Sequence, residues 1–140
     1  MDIMVTTPKD RMADAAQEAE DVKRAGGGFY FRRFSGLQQS APRIKPGERV
    51  YYVEDGYVRG YCLLDRLETK TLGMVCETSG LNYFPGVYAF MDATTWMWIE
   101  PVLMQGFRGW QYFPLPLKSQ VKEIGGWLDP KPQTQPLLPL

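Results

Sequence analysis

The sequence predicts an α+β domain: a small curled or closed, mostly antiparallel β-barrel of about five to seven strands with one main helix over residues 8–24. Three stretches carry that expectation. A glycine-punctuated hairpin unit spans residues 45–61, an aromatic β-type run spans 87–99, and a capped helical stretch lies near the start of the chain.

The hairpin unit reads Lys45-Pro46-Gly47-Glu48-Arg49-Val50-Tyr51-Tyr52-Val53-Glu54-Asp55-Gly56-Tyr57-Val58-Arg59-Gly60-Tyr61. Pro46-Gly47 turns the chain into a strand, and Asp55-Gly56 between two apolar runs is a tight hairpin signal. Gly60 within the return strand, which runs from Tyr57 to Leu67, predicts a bulge or a sharp bend of the kind a curled sheet needs.

Before this unit, Ile3 to Thr6 reads as a short strand. Thr7 then caps a helix, with Pro8 at the first helical position and Asp10 in the first turn. Met12, Ala15, Ala16, Ala19 and Val22 recur at helical spacing, and Gly26-Gly27-Gly28 stops the helix. Phe29 to Phe34 reads as a strand carrying Tyr30, Arg32 and Arg33, and residues 35–46 read as a loop.

After the hairpin unit, Thr69 to Pro85 is ambiguous, with Leu72 to Cys76 the favoured strand. Val87 to Ile99 is a long strand closed by Glu100-Pro101. Gly106 to Phe113 reads as a loop followed by a strand, and Val121 to Trp127 as at most a short helical turn. The expected layout is a single domain over residues 1–128 and a flexible tail over 129–140, where prolines stand at 130, 132, 136 and 139.

Composition narrows the chemistry. The 140 residues carry no histidine, which removes the commonest general base and metal ligand. Cys62 and Cys76 are isolated and fit no zinc spacing, so the expectation is buried thiols, no metal and no cofactor. Formal net charge is zero. Acids nevertheless dominate from Asp10 to Asp21 and bases from Lys23 to Arg49, which leaves room for a local basic face. No apolar run approaches the ~20 residues that span a bilayer, and Met1-Asp2-Ile3 does not open a signal peptide. A cytoplasmic address is expected.

Residues 101–113, Pro-Val-Leu-Met-Gln-Gly-Phe-Arg-Gly-Trp-Gln-Tyr-Phe, form the candidate binding stretch. Phe107 and Trp110 on a glycine-rich loop suit stacking on a flat ligand, and Arg108 between them suits a phosphate or a π face. Arg32 and Arg33 are adjacent on a strand and must point to opposite faces, so one can enter a cleft while the other meets solvent. Lys9 and Arg11 beside a helix N-terminus form a possible anion site. Trp96 and Trp98 share a strand face and read as packing. The carboxylates stand in no diagnostic catalytic spacing and most of them read as solvated turn and edge residues; an acid such as Glu54 or Glu100, with Lys9 or Lys23, is the candidate pair if the chain is an enzyme.

The unit over 45–61, with the helix and the Arg32–Arg33 strand before it, resembles the PUA-like superfamily, in particular its ASCH and EVE branches. There a "pGdrVyi … g.ivGya" unit forms the central hairpin of a small barrel. The resemblance implies binding of RNA, or of a modified base in DNA or RNA, in a cleft lined by Tyr30, Arg32, Arg33 and the Gly106–Trp110 loop. One ASCH subgroup resembles amidohydrolases and uses Lys-x-x-Thr with a glutamate. Near Lys23 this chain reads Arg24-Ala25-Gly26 without a threonine at that spacing, which speaks against hydrolysis. The expected function is therefore a non-enzymatic nucleic-acid or modified-nucleobase binding module. Its alternatives are a hydrolase acting on a modified nucleoside and a structural or protein-interaction domain.

Overall fold

A computed structural model describes residues 1–7, 29–37, 41–75, 80 and 82–126, with the backbone alone at 29, 30 and 126. The helix expected over 8–24, its Lys9–Arg11 anion site, Cys76 and the tail over 129–140 lie outside the described residues. What is described is mostly β. The strands are β1 (Ile3–Thr7), β2 (Phe29–Ser35), β3 (Arg49–Glu54), β4 (Tyr57–Lys70), β5 (Met74–Val75), β6 (Asn82–Tyr83), β7 (Gly86–Leu103), β8 (Trp110–Tyr112) and β9 (Glu123–Gly126). One short helix, α1 (Leu115–Lys118), lies between β8 and β9.

Seven strands form one curled sheet in the order β2-β7-β4-β3-β1-β8, with β9 also paired to β7. Only β1 and β3 run parallel; the other pairings are antiparallel. β5 and β6 make a separate two-stranded hairpin. The tight turn expected at 55–56 is present, with Asp55 at φ 50° and Gly56 at φ 84°, the doubly positive geometry of a two-residue hairpin.

The curl comes from irregularities in β4 and β7. Register shifts fall between Val58 and Gly60, Tyr61 and Leu63, and Leu64 and Arg66. At Gly60 an added Cβ would stand 2.5 Å from Trp96 Cζ2 and 2.6 Å from the Met97 carbonyl, so the strands approach there as only glycine allows. In β7 the chain puckers at 92–95. Asp92 accepts from the Thr94 N–H at 3.0 Å, and the Thr95 hydroxyl accepts from the Leu63 N–H at 2.9 Å in place of a ladder bond. This pucker divides β7: its first half pairs with β2 at residues 87–92, its second with β9 at 97–99.

The pleat sorts side chains into two cores. Ile3, Val5, Phe34, Val50, Cys62, Leu64, Met91, Trp96 and Trp98 fill the inner, concave side. Met4, Tyr51, Val53, Val58, Tyr61, Ile99 and Phe113 form an outer cluster, capped by Phe107, Leu117 and Val121 of the chain after β7. Burial pushes the Cys62 thiol well above its ordinary pKa, as expected for an inert core cysteine.

Three sequence expectations need correction. Glu100-Pro101 does not end β7, because Pro101 sits within a register shift where no ladder bond is required of it. Residues 123–126 form an edge strand instead of a helical turn, since Gly125 and Gly126 are poor helix formers and pair with Trp98 and Met97. Among the described residues, strand structure near Leu72 covers Met74–Val75, after a turn at Thr71-Leu72. Among the described residues no helix is long and apolar enough to cross a membrane.

Candidate functional site

Arg32 lies two residues before Phe34 on β2 and shares its inward face. Its guanidinium Nη2 donates to the Thr6 carbonyl at 2.8 Å. Burial lowers its pKa from the ordinary value, and the neighbouring Tyr52 phenol partly offsets that by favouring the charged form. Arg33 takes the opposite face as expected: it is exposed, and its Nε donates to the Pro85 carbonyl at 3.0 Å. Arg33 therefore does not share a face with Arg32. Tyr30 is placed only by its backbone, opposite Met91 of β7.

The Gly106–Trp110 loop returns the chain from β7 to the β1 edge. The Phe107 N–H donates to the Thr6 hydroxyl at 3.2 Å. Thr6 thus joins both halves of the site, holding Arg32 through its carbonyl and the loop through its side chain. Trp110 pairs with Val5, rests half-buried against the inner core, and meets Tyr112 edge to face at 5.0 Å. Arg108 is exposed and has no partner among the described residues. Phe107 departs from expectation. It packs on the outer cluster, because anchoring its amide on Thr6 places its ring on the Met4 side of the sheet. Phe107 and Trp110 therefore do not form one stacking platform.

Beneath the inner face runs a chain of rings. Tyr52 meets Trp96 at 5.3 Å and Trp96 meets Trp98 at 5.1 Å, both edge to face. The two indoles are buried, in keeping with packing. Glu54 is not one of the solvated turn acids. Only 3% of it is exposed, and it accepts from Arg59 Nη1 at 2.9 Å. The Arg59 guanidinium carbon in turn lies 5.7 Å from the Trp98 ring centre. Sequence reasoning passed over this pair. The signal was present in Val50, Tyr52 and Glu54, which alternate along β3, with a two-residue turn bringing the next strand back against them.

On the outer side a polar clasp holds the chain after β8. Tyr61 donates its hydroxyl proton to Glu123 of β9, and Arg49 stands 3.5 Å from the same carboxylate. Arg49 also donates to the Tyr51 hydroxyl at 2.8 Å and lies 4.3 Å from the centre of the Tyr61 ring. Lys118 reaches Asp2 at 2.8 Å, and Tyr51 stacks on Phe113 at 3.9 Å. Burial, then the hydrogen bond to Glu123, raise the Tyr61 pKa strongly above its ordinary value.

Among the described residues, these placements group several of the expected site residues on the inner face and its adjoining loop. That face carries a desolvated guanidinium, two half-buried aromatic rings (Tyr52 and Trp110) and an exposed arginine on the adjoining loop. In comparisons with known proteins, no protein-family model, no curated protein and no solved structure matches the chain.

Proposed function

We propose that the chain is a non-enzymatic nucleic-acid or modified-nucleobase binding module, built on a small, closed α+β barrel of the PUA-like type. One observation carries this reading: Arg32 and the loop bearing Arg108 and Trp110 converge on a single residue, Thr6. A guanidinium in a partly desolvated setting makes strong, directional bonds to a base edge or a phosphate. A half-buried indole beside it offers a π face that any base can use. Arg108, exposed and without a partner among the described residues, suits contact with the phosphate backbone.

The test is fluorescence anisotropy with short RNA and DNA oligonucleotides at low and moderate salt. Affinity is expected to fall with salt at a log–log slope of about 0.7 per phosphate contact. Trp110→Ala is expected to weaken binding by about 10- to 100-fold, equivalent to ~1–3 kcal/mol for one stacked base. No binding at low salt, or full binding by the Arg108→Ala/Trp110→Ala variant, overturns the reading.

One observation favours a second reading, a protein-interaction domain. Where β5 and β6 join β4 and β7, Leu72 and Phe84 are 96% and 79% exposed, two large apolar side chains on the surface. Self-association that Leu72→Ser with Phe84→Ser abolishes, without any response to oligonucleotides, supports that reading instead.

A further inference from the structure

Arg59 belongs to the same inner face as Arg32 yet plays no part in the site so far described. Its carboxylate partner is unusual: the Glu54 side chain is 4% exposed, whereas that of Arg59 is 37% exposed. The anion is therefore buried and the cation stands at the solvent side. Among the described residues, Arg59 contacts the Glu54 carboxylate through Nη1 and the Trp98 ring through its face. A guanidinium carries five N–H donors in a planar fork, so most of its donors remain uncommitted. Pairing a nearly buried carboxylate with an arginine at the solvent side is a weak source of stability, since an apolar pair of similar volume serves at least as well. It is an effective way to fix where an arginine points.

The two guanidiniums are joined through a rigid floor. Arg32 lies beside Tyr52, Tyr52 meets Trp96, Trp96 meets Trp98, and Trp98 lies under Arg59. Buried indoles lie between the two cations, and Trp110 and Tyr52 pack half-buried against the same core cluster. A free base has no group for the second cation. A strand with successive phosphates does.

We infer that Arg59, positioned by Glu54, is a second phosphate-contacting residue of this face, and that the ligand class is a single-stranded oligonucleotide segment rather than an isolated base or nucleoside. This rests on the nucleic-acid reading above and sharpens it. Arg66 supplies the control. It too lies over a ring, Phe90 at 4.2 Å, but it is bound by both Asp65 and Glu68 on the other half of β4.

The experiment titrates wild type, Arg59→Gln and Arg66→Gln with an oligo(dT) octamer, an oligo(U) octamer and thymidine, at two salt concentrations. Arg59→Gln is expected to weaken octamer binding about tenfold, the loss of one charge-assisted contact, and to lower the salt slope by about 0.7. Thymidine binding and the Arg66→Gln variant are expected to remain as in wild type. If wild type binds the octamers and Arg59→Gln keeps both affinity and slope, or if Arg66→Gln weakens binding equally, this inference is wrong while the nucleic-acid reading stands. If wild type binds no octamer, both fall together. Should Arg59→Gln fail to fold once Glu54 has lost this partner, the neutral pair Glu54→Gln/Arg59→Gln carries the same test, and unchanged octamer binding by it overturns the inference.

Discussion

Arg32 and Thr6, 26 residues apart in sequence, are joined by a 2.8 Å hydrogen bond between strands that are not neighbours in the sheet. A side chain, not a ladder, spans from β2 to β1. The same contact orients the guanidinium on the inner face, so a structural role and the proposed binding role fall on one residue.

Two substitutions separate those roles. Arg32→Ala removes the donor and leaves the Thr6 carbonyl without its partner, at an expected cost of about 1–3 kcal/mol in urea denaturation. Arg32→Met keeps most of the apolar stem and is expected to recover part of that loss. Both variants are expected to lose oligonucleotide affinity about tenfold or more. Wild-type affinity in Arg32→Met would make Arg32 a pin and nothing else.

Gly60→Ala tests the close approach of β4 to β7. The new methyl would meet Trp96 Cζ2 at 2.5 Å and the Met97 carbonyl at 2.6 Å, and the second of these is backbone that cannot swing away. The expected cost is about 1–3 kcal/mol, read as a lower denaturation midpoint. An unchanged midpoint would mean that the strands lie further apart than described.

Thr6→Val keeps the carbonyl that holds Arg32 but removes the hydroxyl that holds the Phe107 N–H. A loss of about 1 kcal/mol is expected. Faster amide hydrogen exchange is expected at Phe107 and its loop neighbours, with little change in β3. Equal acceleration throughout the sheet would contradict a local anchor.

Alkaline pH should loosen the outer clasp. The Tyr61 pKa in the folded protein lies above its ordinary value of 10.0, so the folded state holds the phenolic proton more tightly than the unfolded chain does. That contribution is complete below about pH 10 and is lost as pH rises through the folded value. Stability measured by urea is therefore expected to fall above about pH 10, and Tyr61→Phe to flatten the decline. Tyr51, raised in the same direction mainly by burial, leaves a residual slope. An alkaline limb as steep in Tyr61→Phe as in wild type would count against the clasp.

Several of these features are legible in the amino-acid sequence, and the reasons are local. Asp55-Gly56 demands a tight turn whatever surrounds it, and the period of two in a strand is enough to part Arg32 from Arg33. Gly60 signals a distortion, though not the indole that requires it. The rest depends on long-range contacts with no short-range signature. Thr6 is an ordinary strand threonine until Arg32 and Phe107 arrive from far along the chain. Nothing in the local pattern around Asp55-Gly56 shows that Glu54 is buried or that it meets Arg59. Phe107 and Trp110 look like a pair in sequence, but the loop between them crosses from one side of the sheet to the other. β9 follows from an edge of β7 left available beyond the pucker at 92–95, which no local pattern reveals.

β1 sits between β3 and β8, so a segment near the start of the chain is an interior strand whose two neighbours come from residues 49–54 and 110–112. On a ribosome, residues 3–7 wait until Trp110 to Tyr112 have been made before both their edges are covered. Contacts this distant in sequence are slow to close and leave apolar strand edges open in the meantime. The contacts that gather on Thr6 are thus completed only after the loop before Trp110 has been made. Truncation before residue 110 is expected to yield an aggregation-prone chain rather than a smaller folded domain.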